Sequence, residues 1–270
     1  MTKKKKKDIP KFSQEIIETH CHLDYLKALE LEETLEKAKE HSVSRIVTIA
    51  VDPDNLKSVR ELSKKYPQIF GTQGIHPHEA KLYTDAVEKE IKDHVQEDKI
   101  VAVGEIGLDF HYNNSPKDIQ IEVFERQLQI AVDLDMPVVI HSREAEKETI
   151  DILKKYSKSL KRKGVIHSFT SSLELAEFAL NDDYCLGFNG IITFNSAQNV
   201  RDALSITPIE RVLVETDAPF LTPVPYRGRE NAPYYLPFII EKIASEKEMS
   251  VDEVITQTTS NAKKLFHKLC

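Results

Sequence analysis

The stretch 18–24, ETHCHLD, follows a short apolar run and sets His20 and His22 one residue apart where that run stops. In a strand, residues i and i+2 point to the same side. Two imidazoles therefore converge on one point, as metal ligands do, although a solvated turn holding two histidines is the plainer alternative. The same stretch decides between two folds. An open doubly wound sheet usually follows its first strand with a glycine-rich loop. Here the first strand ends in Thr-His-Cys-His instead, which favours a closed barrel.

The rest of the chain repeats one rhythm. Short β-branched runs lie at 15–20, 45–51, 69–76, 100–107, 137–142, 164–169, 185–192 and 211–217. They lack the i, i+3, i+4 pattern and are continuously apolar, as strands buried on both faces are. Charged stretches at 54–65, 116–135, 143–162 and 172–181 separate them, and 234–268 reads as two further helices. In 116–135, Phe124, Leu128 and Ala131 fall on one helical face. Eight such strands alternating with helices predict an α/β fold, a (β/α)8 TIM barrel in a single domain over 13–270. Residues 1–12, with lysines at 3–7, read as a disordered Lys-rich N-terminal tail.

Composition narrows the function. The 270 residues are 40% hydrophobic and 30% charged, with a net charge of −7. That is an ordinary globular composition, and it argues against coating nucleic acid by bulk electrostatics. It leaves room for an enzyme that grips one strand end with a few local cations. No apolar run is long enough to span a membrane, and no apolar segment follows the lysines as in a secretory signal. Three scattered cysteines, Cys21, Cys185 and Cys270, with no CxxC pair, point to reduced thiols and a cytoplasmic protein. Cys21 should face away from its flanking histidines.

In a barrel, chemistry gathers at the C-terminal ends of the strands. In chain order those ends offer His20 and His22, Asp52, His76, Glu105, His141, His167, Asn189, then Glu215 and Asp217. Five of the chain's ten histidines, at 20, 22, 76, 141 and 167, stand there. Imidazole and carboxylate suit magnesium, manganese or zinc. Six donors are enough for two divalent metal ions roughly 3.5–4 Å apart, sharing a bridging carboxylate. Glu105 is the natural bridge. His20, His22 and Asp217 would hold one ion, and His141 and His167 the other. Asp217 is also placed to take the proton of an attacking water. GxSxG, P-loop and HExxH motifs are absent.

Together ETHCHLD, GIHPH, GEIGLDF, PVVIHSREA, GVIHSF, VETDAPFLTP and PYRGRENAP resemble the TatD family of metal-dependent deoxyribonucleases, a branch of the amidohydrolase-like hydrolases. The resemblance runs in order from about residue 15 onward. It implies a TIM barrel, a divalent-metal centre and hydrolysis of phosphodiesters, often from the 3′ end of single-stranded DNA or RNA. It implies metal ligands at His20, His22, Glu105, His141, His167 and Asp217, the six that the strand ends already select. The lysines at 3–7 lie outside the family pattern.

Other residues admit two readings each. His76 either contacts the scissile phosphate or packs beside Pro77. Arg143 suits a phosphate or a surface ion pair with Glu146 or Glu148. Glu215 either orients water or a ligand, or partners a buried arginine. Arg227 and Arg229 either hold the substrate backbone or order their loop. Phe110, Tyr112 and Phe220 either stack on bases or pack. The catalytic candidates are thus Asp217, Glu105, Glu215 and His76, with His76, Arg143, Arg227 and Arg229 for substrate. The leading expectation is an exonuclease acting on strand ends, with no obligate protein partner and no membrane. The alternatives are an ester or amide hydrolase, such as an aminoacyl-tRNA deacylase, and a scaffold with a structural metal. Structural zinc cages are usually closed and often cysteine-rich, which this donor set is not.

Overall fold

Eight parallel strands and nine helices build the chain from residue 7 to residue 269, the span that the computed structural model describes. The strands are β1 (Ile16–Cys21), β2 (Val43–Thr48), β3 (Ile69–Gln73), β4 (Ile100–Asp109), β5 (Val138–Arg143), β6 (Gly164–Ile166), β7 (Cys185–Phe188) and β8 (Val212–Val214). Each pairs with the next in sequence, so the sheet order is the chain order. Helices α1 (Leu31–Glu40), α2 (Asn55–Lys65), α3 (Asp85–His94), α4 (Lys117–Asp133), α5 (Glu146–Tyr156), α6 (Leu173–Asn181) and α7 (Gln198–Ile206) fill the crossovers. Two more, α8 (Leu236–Lys247) and α9 (Val251–Leu265), follow the last strand. This is the expected (β/α)8 TIM barrel.

Between β1 and β8 the ring closes differently. The Asp217 N–H donates to the His20 carbonyl at 2.9 Å, and the His22 N–H donates to the Ala218 carbonyl at 2.7 Å. Below them side chains stand in for the ladder. The Thr19 hydroxyl donates to the Val214 carbonyl, and the Glu18 carboxylate accepts the N–H groups of both His20 and Thr216. First and last strands are thus joined by a mixed seam.

Val139, Val165 and Leu213 precede His141, His167 and Glu215 by two residues and share their faces. They form one buried cluster with Ile17, Val47 and Val101, covered by Phe266 and Leu269 after α9. This cluster is the floor under the strand-end residues. A larger apolar layer fills the space between strands and helices.

The last three strands are shorter than their apolar runs. After β7, the Asn189 side chain accepts the Ile191 N–H and starts a tight turn over Gly190–Thr193. Beyond β6 and β8 the backbone turns left-handed at Ser168 (φ 46°) and Asp217 (φ 58°). That conformation is costly for residues with a Cβ and ends strand pairing. His167 and Asp217 therefore stand just past the ladder, on the rim.

Residues 1–6 lie outside the described span, and with them Lys3–Lys6 of the expected tail; Cys270 lies outside it too. Lys7 to Phe12, assigned to the same tail, lie against the barrel. Ile9 packs on the Tyr234, Tyr235 and Phe238 cluster, and the Phe12 N–H donates to the Ser42 hydroxyl. Apolar side chains at 9 and 12 account for this, since leaving water favours them as it does not favour lysine. Among the described residues, no helix is long and apolar enough to cross a membrane.

Candidate metal centre

Glu105 sits at the centre of the strand ends. One of its oxygens, Oε1, lies 2.6 Å from His167 Nε2, 3.0 Å from His141 Nδ1 and 3.5 Å from His76 Nε2. The other, Oε2, lies 3.5 Å from His20 Nε2. Across the seam, Asp217 Oδ1 lies 3.5 Å from His22 Nε2 and 3.7 Å from His20 Nε2. His20 and His167 stack face to face, with ring centroids 3.9 Å apart. The structure brings all six candidate ligands together, and His76 with them.

Among the described residues, three groups hold their donor atoms within 4.8 Å of one another: His20, His22 and Asp217; His20, Glu105 and His167; His76, Glu105 and His141. Each could hold a cation. The donors fit a divalent ion on two grounds. They are oxygen and imidazole nitrogen only, and both ring nitrogens of His20 are buried without a hydrogen-bond partner. Buried polar atoms in folded proteins rarely lack one. Cys21 is not among the donors, because its thiol turns away to the Val47 carbonyl at 3.8 Å.

Charge within the cluster is strongly redistributed. Burial opposes ionisation of Glu105, but the charge of His167 and the hydrogen bonds from His141 and His167 outweigh it and hold the carboxyl well below its usual range. Asp217 is likewise lowered, against its burial, by His22 and His20. Burial drives His76 well down, and the neighbouring His141 and His78 push the same way, leaving a neutral imidazole. His167 goes the other way, because Glu105 and Glu215 overcome its burial.

A shell beneath these residues fixes them. Glu215 is fully buried and, among the described residues, meets no arginine. Its Oε1 accepts the Ser168 N–H at 2.5 Å and lies 3.7 Å from His167 Nδ1. A Cβ on Gly187 would run into this carboxylate, so the small residue makes room for it. Asp109 escaped sequence reading. Its Oδ2 accepts from His78 Nε2 at 2.9 Å and His141 Nε2 at 3.1 Å. The signal was present, since Asp109 follows Glu105 by four residues on one strand face. Glu18 was also missed: burial pushes its carboxyl up to about 8.

The cluster opens into a cleft of about 720 Å³. Tyr112 and Phe220, both exposed, stand at its mouth, and Arg143 lines it. Among the described residues no ion pair joins Arg143 to Glu146 or Glu148; its guanidinium lies over the Tyr112 ring, 4.7 Å from the centroid. Phe110 packs on the core instead and does not reach the cleft. Arg227 and Arg229 also stay outside it. They lie over Phe194 (4.0 Å) and Tyr226 (5.6 Å) in the exposed loop after β8.

Known proteins resemble the chain over nearly its full length. The family described as TatD related DNase matches residues 17–267. YabD of Bacillus subtilis, an uncharacterised metal-dependent hydrolase, is 38% identical over 252 residues, covering 93% of this chain and 98% of its own. YcfH of Escherichia coli K12, of the same description, is 34% identical over 256 residues, covering 93% and 96%. Among solved structures, the TatD homologue YjjV of Escherichia coli K12 superposes with a TM-score of 0.89 at 29% identity, covering 93% of this chain and 98% of its own.

Proposed function

Because the chain belongs to the TatD-related family of metal-dependent hydrolases, we propose that its reaction is phosphodiester hydrolysis at the end of a single strand of DNA, or of RNA, from the 3′ end. The observation that carries this reading is the mouth of the cleft. Arg143, whose guanidinium has no carboxylate partner among the described residues, and two exposed rings, Tyr112 and Phe220, flank one cluster of acidic and imidazole donors. A guanidinium fork suits a phosphate, and an exposed ring suits a base.

In this reading residues 13–270 form one catalytic domain working in the cytoplasm. His20, His22, Glu105, His141, His167 and Asp217 would hold two divalent ions, magnesium, manganese or zinc, which supply Lewis acidity. The chain's own groups do the rest. Asp217, kept ionised by His22 and His20, takes the proton of the attacking water. Neutral His76, lining the cleft, donates a hydrogen bond to a phosphate oxygen. Arg143 orients the phosphate, while Tyr112 and Phe220 hold the terminal base. Glu215 acts through His167, fixing its ring from below.

End-labelled single-stranded DNA, incubated with magnesium, manganese or zinc and then with chelator, tests the proposal. A ladder shortening from one end is expected, lost with chelator and reduced about 100-fold or more in Asp217→Ala. Near-normal turnover in that variant would sink the assigned role of Asp217. Folded protein that cleaves no strand with any ion would move the reaction to a carbonyl ester, with aminoacyl-tRNA as the next substrate.

A further inference from the structure

Asn189 follows β7 and is buried, yet it takes no part in the metal cluster. Its two amide atoms are told apart by their partners. Oδ1 accepts the Ile191 N–H at 3.1 Å, so Nδ2 is the atom that faces the Ser168 hydroxyl, 2.8 Å away. An amide nitrogen only donates, and the Ser168 oxygen must therefore accept. A hydroxyl has one hydrogen and two lone pairs. Ser168 thus keeps its hydrogen, and no described residue accepts it. Ser168 is half-buried and lines the cleft.

Another serine of the cleft differs. Ser142 follows His141 as Ser168 follows His167, and both line the cleft. The Ser142 hydroxyl, however, meets the Thr149 hydroxyl at 3.0 Å, which can take its hydrogen. Ser168 also stands in a left-handed turn, φ 46°, pinned by its N–H on Glu215. That conformation is uncommon for a residue with a Cβ. Backbone held in it from several sides gathers where a side chain must be aimed. In the ring of strands His76 lies beyond β3 and Ser168 beyond β6, so the two line the cleft from different sides.

We propose that Ser168 is a substrate-binding residue whose hydroxyl donates to a non-bridging oxygen of the scissile phosphate, and that Asn189 is the positioning residue that turns the hydroxyl hydrogen into the cleft. This rests on the nuclease reading of the same cleft, in which neutral His76 donates to a phosphate oxygen. Two donors from different sides fix the rotation of the phosphate as well as its place. Both are neutral, so neither repels a cation held beside it.

Ser168→Ala, Asn189→Asp and the two combined test this in the full chain. Alanine keeps the Cβ and removes the hydroxyl. Aspartate keeps an oxygen for the Ile191 N–H but makes the other atom an acceptor, so the Ser168 hydrogen turns to it and leaves the cleft. Cleavage of a labelled short oligothymidine is followed with manganese, and its binding by fluorescence anisotropy in chelator. Losing a hydrogen bond to a charged group should lower kcat/KM of Ser168→Ala about 10- to 100-fold. Its binding in chelator should weaken too, with the circular dichroism unchanged. Asn189→Asp should lose a comparable factor, and the double variant no more than Ser168→Ala alone. Losses that multiply in full would show the aspartate acting by its own charge, and would overturn the positioning role of Asn189. Parent-like kcat/KM and binding in Ser168→Ala would overturn the proposal, while the cleavage itself upholds the nuclease reading. If no protein cleaves the strand but Ser168→Ala still binds it more weakly, the donor stands and the nuclease reading alone falls. If the folded parent neither cleaves nor binds it, both fall.

Discussion

Asp109 accepts hydrogen bonds from two imidazoles, those of His78 and His141. With Nε2 held this way, His141 must present Nδ1 toward Glu105 and His167. A carboxylate behind a ligand histidine fixes its tautomer and orientation, and removing it typically costs 10–100-fold in metal affinity. Asp109→Asn is therefore expected to weaken manganese or zinc binding by about that factor while the far-ultraviolet circular dichroism stays unchanged. Calorimetric titration checks it, and full affinity in the variant would reduce Asp109 to a fold contact. The residues that meet in the cluster were legible in the sequence because each stands where an apolar run stops. Asp109 was not, because β4 runs to Asp109 itself, past the point where its apolar run was taken to end. Glu215 was read only in part: its position two before Asp217 was visible, but its partner, the Ser168 N–H, comes from a left-handed turn that the sequence does not announce.

At the scale of elements, the apolar runs located all eight strands, and the 3.6-residue pattern located α2, α4 and α6 within a few residues. What escaped was where the shorter strands end, since side chains and left-handed turns, not hydropathy, stop them. The same holds for the closing helix. Its Asn261 amide donates to the carbonyls of Ile209 (2.7 Å) and Val212 (2.9 Å), tying α9 to the start of β8. Asn261→Leu keeps the volume but leaves buried acceptors unpaired, which costs about 1–3 kcal/mol. A lower urea midpoint with turnover unchanged in the folded protein is the expected result. An unaltered midpoint would mean that water reaches those carbonyls.

Across the whole molecule, the cluster is a place of concentrated unfavourable burial. Imidazoles and carboxylates that share one cleft compete for protons, and His20 keeps two nitrogens unsatisfied. A cation that binds only the folded chain stabilises it in proportion to the logarithm of its concentration over Kd, about 2.7 kcal/mol at a hundredfold excess. Manganese or zinc should accordingly raise the calorimetric Tm and chelator lower it, with the increment abolished in a His20→Ala, His22→Ala double variant. A Tm indifferent to both would contradict a metal centre in this cluster.

The seam between β1 and β8 also orders events in time. The Thr19 hydroxyl and the Val214 carbonyl that it reaches are 195 positions apart, and His22 and Asp217 face each other across the same join. A chain emerging from the ribosome makes His20 and His22 long before Asp217. Every earlier strand finds its neighbour in sequence, so much of the sheet can pair as it is made. The seam must wait for the last strand, and contacts this distant in sequence form slowly. The full donor set therefore waits for β8, and no nascent fragment that stops short of it carries that set.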